Sequence, residues 1–234
     1  MLLADVGTDH ALLPVAAVCR GVAKRAIAAD LREAPLANAR AHIERMGVAD
    51  RVVAVRADGL LAVQTSRVGA GPEPGLEAPV DAVVISGMSA DSMLRMFHAA
   101  PDVLTRLQQL MGQLILQPNQ NVDKLRAWAL RNGWHLRDER MLEEGGQFFV
   151  VCAFTPGVGA DPAYSVAGWT TQALCSVGPQ LLTRKDAVAL RWFERQRART
   201  SHWVKRAVKR LQPEHDVWDA ACKAMRRGRD PCEP

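Results

Sequence analysis

The chain has 234 residues, 48% of them hydrophobic and 24% charged, and a formal net charge of +5. Those fractions are ordinary for a globular protein with room for one full core and an appendage, and no apolar run approaches the ~18–20 residues that cross a bilayer. The charge is uneven: residues 181–234 hold 14 Lys+Arg against 7 Asp+Glu, while residues 1–180 hold 16 against 18, so basicity belongs to the tail alone.

In chain order, "LLADV" reads as a strand and "HALLPVAAVCRG" as a helix ended by Gly21. "RAIAAD" is a second strand, followed by the helix "APLANARAHIERMG" with Gly47 at its end. "RVVAVRAD" is a third strand. Residues 66–79, with three glycines and three prolines, read as a surface loop. "VDAVVIS" is a fourth strand, "DSMLRMFHAA" a helix, "QLILQP" a fifth strand and "VDKLRAWALRNG" another helix. "HLRDERMLEE" and "QFFVVCAF" form a hairpin turned by Gly145-Gly146 and are therefore antiparallel.

Strands alternating with helices predict an α/β fold: a doubly wound, mostly parallel sheet with its last strand antiparallel. From about Asp161 the strand signal stops. "TQALCSVGPQLL", "KDAVALRWFERQRARTSHWVKRAVKRL" and "EHDVWDAACKAMRRG" are helical, so residues 1–160 are expected to form the sheet domain and 161–234 a basic helical domain. A basic appendage on a near-neutral body suits a nucleic-acid contact, and equally a solvated helix face. Cys19, Cys152, Cys175, Cys222 and Cys232 are odd in number and form no CxxC pair. They read as reduced thiols of a cytoplasmic protein, with no metal site. Met1 leads straight into a strand with an early Asp5, so no secretory signal is expected.

Chemistry-bearing residues gather at strand ends, where open α/β sheets bind their ligands. Asp5 and Gly7 close the first strand, Asp30 the second, Asp58-Gly59 the third, Gly87 the fourth and Gln117-Pro118-Asn119 the fifth. One acid at a strand end is often only a helix cap, but a whole series is harder to explain that way. Asp30 follows Gly7 at nearly the interval at which an acid meets a ribose diol, which suits NAD or S-adenosylmethionine. The first loop, "DVGTDHAL", separates these. A diphosphate needs the second and third glycines of GxGxxG against the helix terminus, and Asp9 would repel it. A sulfonium donor is favoured by acids there. Asp58 would then face the adenine amine. Gln117-Pro118-Asn119 is similar to the polar-Pro triplets that accept from a planar amine, although a proline after a strand is commonly a plain turn.

With these residues placed, the chain resembles the bacterial tRNA (adenine-N1)-methyltransferases that modify adenine 22 of the D-loop. The resemblance rests on "ADVGTDHALLP", "AIAADLREAPLANA", "ADGL", "DAVVISGM", "LILQPNQNVDKLRAWALRNGW", "DERMLEEGGQFF" and "VGPQLLTRKDAVALRWF", in that order over nearly the whole chain. It implies a Rossmann-like class I methyltransferase sheet with a coiled-coil-like C-terminal helical domain, acting on tRNA with S-adenosyl-L-methionine as cofactor. By the resemblance, Asp5, Gly7, Asp30 and Asp58 hold the cofactor, with Leu31, Gly59 and Gly87 beside them. Asp9, His10 and Asn119 are the catalytic candidates, and Gln117, Pro118, Met88 and Ser89 the substrate-binding ones. Asn119 and Asp9 would accept from the exocyclic amine, and His10 is either an acid–base group or a hydrogen-bonded packing residue.

The chain departs from the family pattern at Leu12, an aromatic in the family, at Ser89-Ala90, where the family has Gly-Gly, and at residues 147–150, Gln-Phe-Phe-Val in place of Lys-x-Tyr-Glu. The family's helical segment before the first strand would fall upstream of Met1, and a mis-assigned start would account for that. Two rivals follow from the substitutions: a methyltransferase of changed substrate, and an inactive RNA-binding relative. A monomer without membrane contact is expected.

Overall fold

The computed structural model describes residues 1–64, 79–205 and 212–227. All but the last residue of the expected loop over 66–79, part of the basic tail and Cys232 lie outside the described residues. The chain runs β1 (Leu2–Val6), α1 (Leu12–Cys19), β2 (Arg25–Asp30), α2 (Glu33–Arg45), β3 (Val52–Arg56), α3 (Leu61–Gln64) and β4 (Ala82–Met88). It continues through α4 (Ala90–Ala99), α5 (Pro101–Gln109), β5 (Gln113–Pro118), α6 (Val122–Arg131), β6 (Trp134–Glu144) and β7 (Gln147–Pro156). After a 3₁₀ turn at Pro162–Tyr164 come α7 (Thr171–Val177), α8 (Pro179–Arg184), α9 (Ala187–Lys205) and α10 (Gln212–Arg226).

All seven strands join one sheet in the order β3-β2-β1-β4-β5-β7-β6. β1 to β5 are parallel, and β7 runs antiparallel to both neighbours. The mostly parallel sheet with an antiparallel last strand is therefore the fold that forms. The hairpin closes through Gly145 and Gly146, both at positive φ (56° and 75°), the backbone that a tight two-residue turn demands.

Alternation along the strands divides the core between the two faces. Leu3, Ala26, Ala28 and Val84 pack with Val15, Val18, Ala39 and Ile43 of α1 and α2. Ala4, Val6, Ile27, Val83 and Ile85 face the other way, onto Met93, Phe97, Leu107 and Trp128. That second core continues without a break into Phe193, Trp218 and Met225 of α9 and α10. Asp161 pins the junction, its carboxylate accepting from the Leu136 N–H at 2.7 Å and the Ala163 N–H at 2.9 Å. α9 and α10 lie antiparallel, with Arg197 bonded to Asp219 and Arg199 to Glu214.

Two local differences from the sequence expectation have clear causes. α1 begins at Leu12 rather than His10, because Asp9 and Ala11 adopt left-handed backbone (φ 53° and 54°). α5 was not anticipated, although Pro101 at its first position and the buried Val103, Leu104 and Leu107 carry its signature. No helix among the described residues is long and apolar enough to cross a membrane.

Candidate functional site

Because β1 to β5 are parallel, their C-terminal ends share one edge, and chain order reverses between β1 and β4. This is the crevice where such sheets take ligands. The β1 loop folds over the end of β2: the Gly7 and Thr8 N–H groups both donate to the Ala29 carbonyl, at 2.8 and 2.9 Å. Gly7 sits at φ 79°, and a side chain there would collide with Met88 of β4. Asp5 is buried at the end of β1 and accepts from the Thr8 hydroxyl at 2.6 Å. Burial pushes its carboxyl up to about 6, against a smaller lowering by Thr8. Asp9 and His10 lie exposed on the following turn, with His10 Nε2 3.6 Å from Asp9 Oδ2.

The β2 and β3 ends meet beside this loop. Asp30 Oδ1 accepts from the Arg32 N–H at 3.0 Å, which leaves Oδ2 available to a ligand hydroxyl. Arg56 donates from Nε to the Leu31 carbonyl at 3.1 Å and so ties the β2 loop to β3. Leu31 itself is exposed. Asp58 and Gly59 line a cavity of about 350 Å³ together with Leu61, Met88, Arg95 and Met96. Gly59, at φ 52°, sits so close to Met96 that an added Cβ would be 3.1 Å away. The chemistry of this set fits the methyl donor: a carboxylate with a free oxygen for a diol, an apolar slot lined by two thioethers, and an exposed acid at its mouth for an amine.

The β4 and β5 ends are stitched together. Gln117 Oε1 accepts from the Gly87 N–H at 2.9 Å, Asn119 Nδ2 donates to the Gly87 carbonyl at 2.8 Å, and Gln117 Nε2 donates to Asn119 Oδ1 at 3.1 Å. The Asn119 N–H adds a bond to the Met88 carbonyl at 2.7 Å, and Pro118 is buried beneath. Asp91 accepts from Asn121 at 2.6 Å and Lys124 at 2.8 Å, clamping α4 to α6, and both donors hold its carboxyl below the usual range.

The expected residues thus share one edge, with some changed surroundings. Met88, expected at the substrate, lines the cavity with Asp58 and Gly59. Ser89 caps α4, its hydroxyl accepting from the Ser92 N–H at 3.1 Å, and Ala90 is fully buried in the core. Neither residue has a positive φ, so this part of the edge does not need the family's glycines. Leu12 stands exposed at the start of α1. Val150 is buried, and Phe148 lies under the Arg195 guanidinium at 5.8 Å. The sequence reading missed Arg56, Arg95 and Met96; the helical spacing of Ser92, Arg95 and Met96 on one face of α4 was the available signal.

Residues 3–221 match the family model described as tRNA (adenine(22)-N(1))-methyltransferase. A Bacillus subtilis protein of that same description is 32% identical over 190 residues, covering 81% of this chain and 72% of the relative. The crystal structure of the B. subtilis m1A22 tRNA methyltransferase TrmK superposes with a TM-score of 0.78 at 27% identity, over 94% of this chain and 92% of that one. Streptococcus pneumoniae Sp1610 in complex with S-adenosyl-L-methionine gives 0.72 at 26% identity, over 95% and 89%.

Proposed function

The chain belongs to the tRNA (adenine(22)-N(1))-methyltransferase family, and from that premise we propose how its own residues divide the work. It is an S-adenosylmethionine-dependent tRNA (adenine-N1)-methyltransferase. The cofactor supplies an electrophilic methyl group on a positively charged sulfur. Asp30 holds the ribose hydroxyls, Asp58 and Gly59 border the adenine with Leu31 alongside, and Gly7 and Gly87 allow close approach of the backbone. Asp5 and Asp9 favour cationic groups over a diphosphate.

The target nitrogen carries its own in-plane lone pair, so no strong base is needed. Orientation carries most of the rate, an effect worth up to about 7–11 kcal/mol in well-held systems. Asn119, with Asp9 beside the same crevice, accepts from the exocyclic amine and offsets the positive charge that grows on the ring. His10 acts as a hydrogen-bonding residue of the rim rather than as a base. The base leaves its stack to reach this edge, at a cost of a few kcal/mol. The observation that carries this reading is the bonded ring of Gly87, Gln117 and Asn119 at the switch-point edge. The capping role of Ser89 and the core position of Ala90 favour an active enzyme over an inactive relative.

The two-part organisation, residues 1–160 for transfer and 161–234 for holding tRNA, is part of the same proposal, as are a monomeric state and a cytoplasmic site of action. Residues 195–213 hold 7 Lys+Arg and no acid, which suits phosphate contacts. The test is mass spectrometry of nucleosides from unmodified tRNA incubated with protein and S-adenosylmethionine. The expected product is 1-methyladenosine, lost when adenine 22 of the tRNA is replaced by guanine; another methylated base, or none, overturns the assignment.

A further inference from the structure

The side-chain amides of Gln117 and Asn119 are oriented by the main chain of the neighbouring strand. The Gly87 N–H can only donate, and it is met by Gln117 Oε1 at 2.9 Å. The Gly87 carbonyl can only accept, and it is met by Asn119 Nδ2 at 2.8 Å. Between them, Gln117 Nε2 donates to Asn119 Oδ1 at 3.1 Å. Turning either amide over would set oxygen against oxygen or N–H against N–H. The Gly87 N–H therefore fixes which atom Gln117 presents, and Gln117 Nε2 with the Gly87 carbonyl fixes which atom Asn119 presents.

The ring cannot drift, because the loops that carry it are cross-linked. Gly87 occupies a bulge where the register with β5 shifts, at φ 76°. The Ala90 N–H donates to the Gln120 carbonyl at 3.1 Å, and Asp91 holds Asn121 and Lys124. Asn119 is exposed, and its Oδ1 has spent one lone pair on Gln117 and keeps the other.

We propose that Gln117 is a positioning residue that sets the amide polarity of Asn119, so that Oδ1 meets the substrate as an acceptor and selects a purine edge bearing an amine. This deepens, and rests on, the reading of Asn119 as the contact to the target base. Gln117, expected from the sequence to touch the substrate, would act through Asn119 instead. Each of its amide atoms is held in place by one bond, Oε1 by the Gly87 N–H and Nε2 by Asn119 Oδ1.

A pair of tRNAs tests this, one with adenine at the target position and one with purine, which keeps the N1 lone pair but has hydrogen in place of the amine. The intrinsic difference in N1 basicity is the same for every variant, so the ratio of kcat/KM values reports the contact. Wild type is expected to prefer adenine. In Gln117→Glu the neighbouring carboxylate can only accept; it draws Asn119 Nδ2 toward itself and displaces Oδ1. That preference should fall by about tenfold or more, the size of one lost hydrogen bond to a polar group left unpaired. Gln117→Met, which removes the orienting amide, should lower it in the same direction. S-adenosylmethionine affinity by calorimetry should match wild type in both variants.

An unchanged adenine preference in Gln117→Glu would overturn the positioning role. Loss of cofactor affinity in both variants would overturn it as well, by making Gln117 a residue that holds the fold. Equal use of adenine and purine by the wild type would instead remove the amine contact on which the inference stands.

Discussion

Arg126 of α6 and Glu139 of β6 meet at 2.7 Å with both side chains fully buried. The guanidinium also donates to the Cys175 carbonyl at 2.6 Å, and the Leu181 N–H reaches Glu139 Oε2 at 3.4 Å. The pair therefore joins the antiparallel hairpin to α7 and α8. Burial alone would lower the guanidinium's proton affinity, but the Glu139 carboxylate more than offsets it, so Arg126 stays charged. Gly178, at φ 89°, passes so close that an added Cβ would lie 2.7 Å from both Arg126 Nη2 and Glu139 Oε2.

A buried pair of this kind is costly to break from one side, because the survivor keeps its desolvation penalty. Arg126→Met leaves Glu139 uncompensated and is expected to destabilise the protein by about 3–5 kcal/mol. Urea unfolding of purified protein measures this. The double replacement Arg126→Met with Glu139→Leu should recover much of the loss. A single mutant as stable as the wild type would show that solvent relieves the pair.

Asp5 gives a second expectation, and its sign follows from the direction of its shift. Its folded-state carboxyl titrates at about 6, above the ordinary value of 3.8, so the folded protein prefers it protonated. Stability is then full below about pH 4 and declines as pH rises through about 6, by roughly 3 kcal/mol for a two-unit shift. Asp5→Asn should remove that decline and raise the melting temperature at pH 7.5 but not at pH 4. A cationic ligand favours the ionised carboxylate, so wild-type affinity for S-adenosylmethionine should strengthen between pH 5 and 7. The variant should bind weakly and lose that pH dependence. Calorimetry at the two ends of the range checks both, and a variant that binds like the wild type would separate Asp5 from the cofactor.

The tail supplies a third. Deleting residues 181–234 would remove Phe193, Trp218 and Met225 from the shared core, and loss of RNA binding would then report unfolding. Several described arginines there are already matched by acids, among them Arg191 with Glu143, Arg197 with Asp219, Arg199 with Glu214 and Arg226 with Glu194. Arg206, Lys209 and Arg210 fall in the acid-free stretch of sequence. Replacing all three by alanine should weaken tRNA binding and reduce its salt slope by up to about 2–3, at roughly one per phosphate contact. Thermal stability should be unchanged. Equal affinity and slope in filter binding across a salt series would show that these three residues make no phosphate contact with tRNA.

The sequence by itself determined the fold class, most of the elements and the edge on which the site lies. Short apolar runs, helix-ending glycines and the acids Asp5, Asp30 and Asp58 at or just beyond those runs are local signals, and a parallel sheet necessarily gathers its C-terminal ends together. The loop that lacks the second and third glycines of a dinucleotide motif was legible for the same reason: the backbone it offers is written in adjacent residues. Only the tertiary structure decided what the residues at that edge are bonded to. Nothing local shows that Gln117 and Asn119 close a ring on Gly87, 30 and 32 residues away. The joining of Arg126 to Glu139 and Gly178 was equally hidden, and so was the dependence of the basic helices on the sheet's own core. A hydrogen bond needs atoms within about 3 Å and in the right direction, and contacts between distant segments are set by how the layers pack rather than by spacing along the chain.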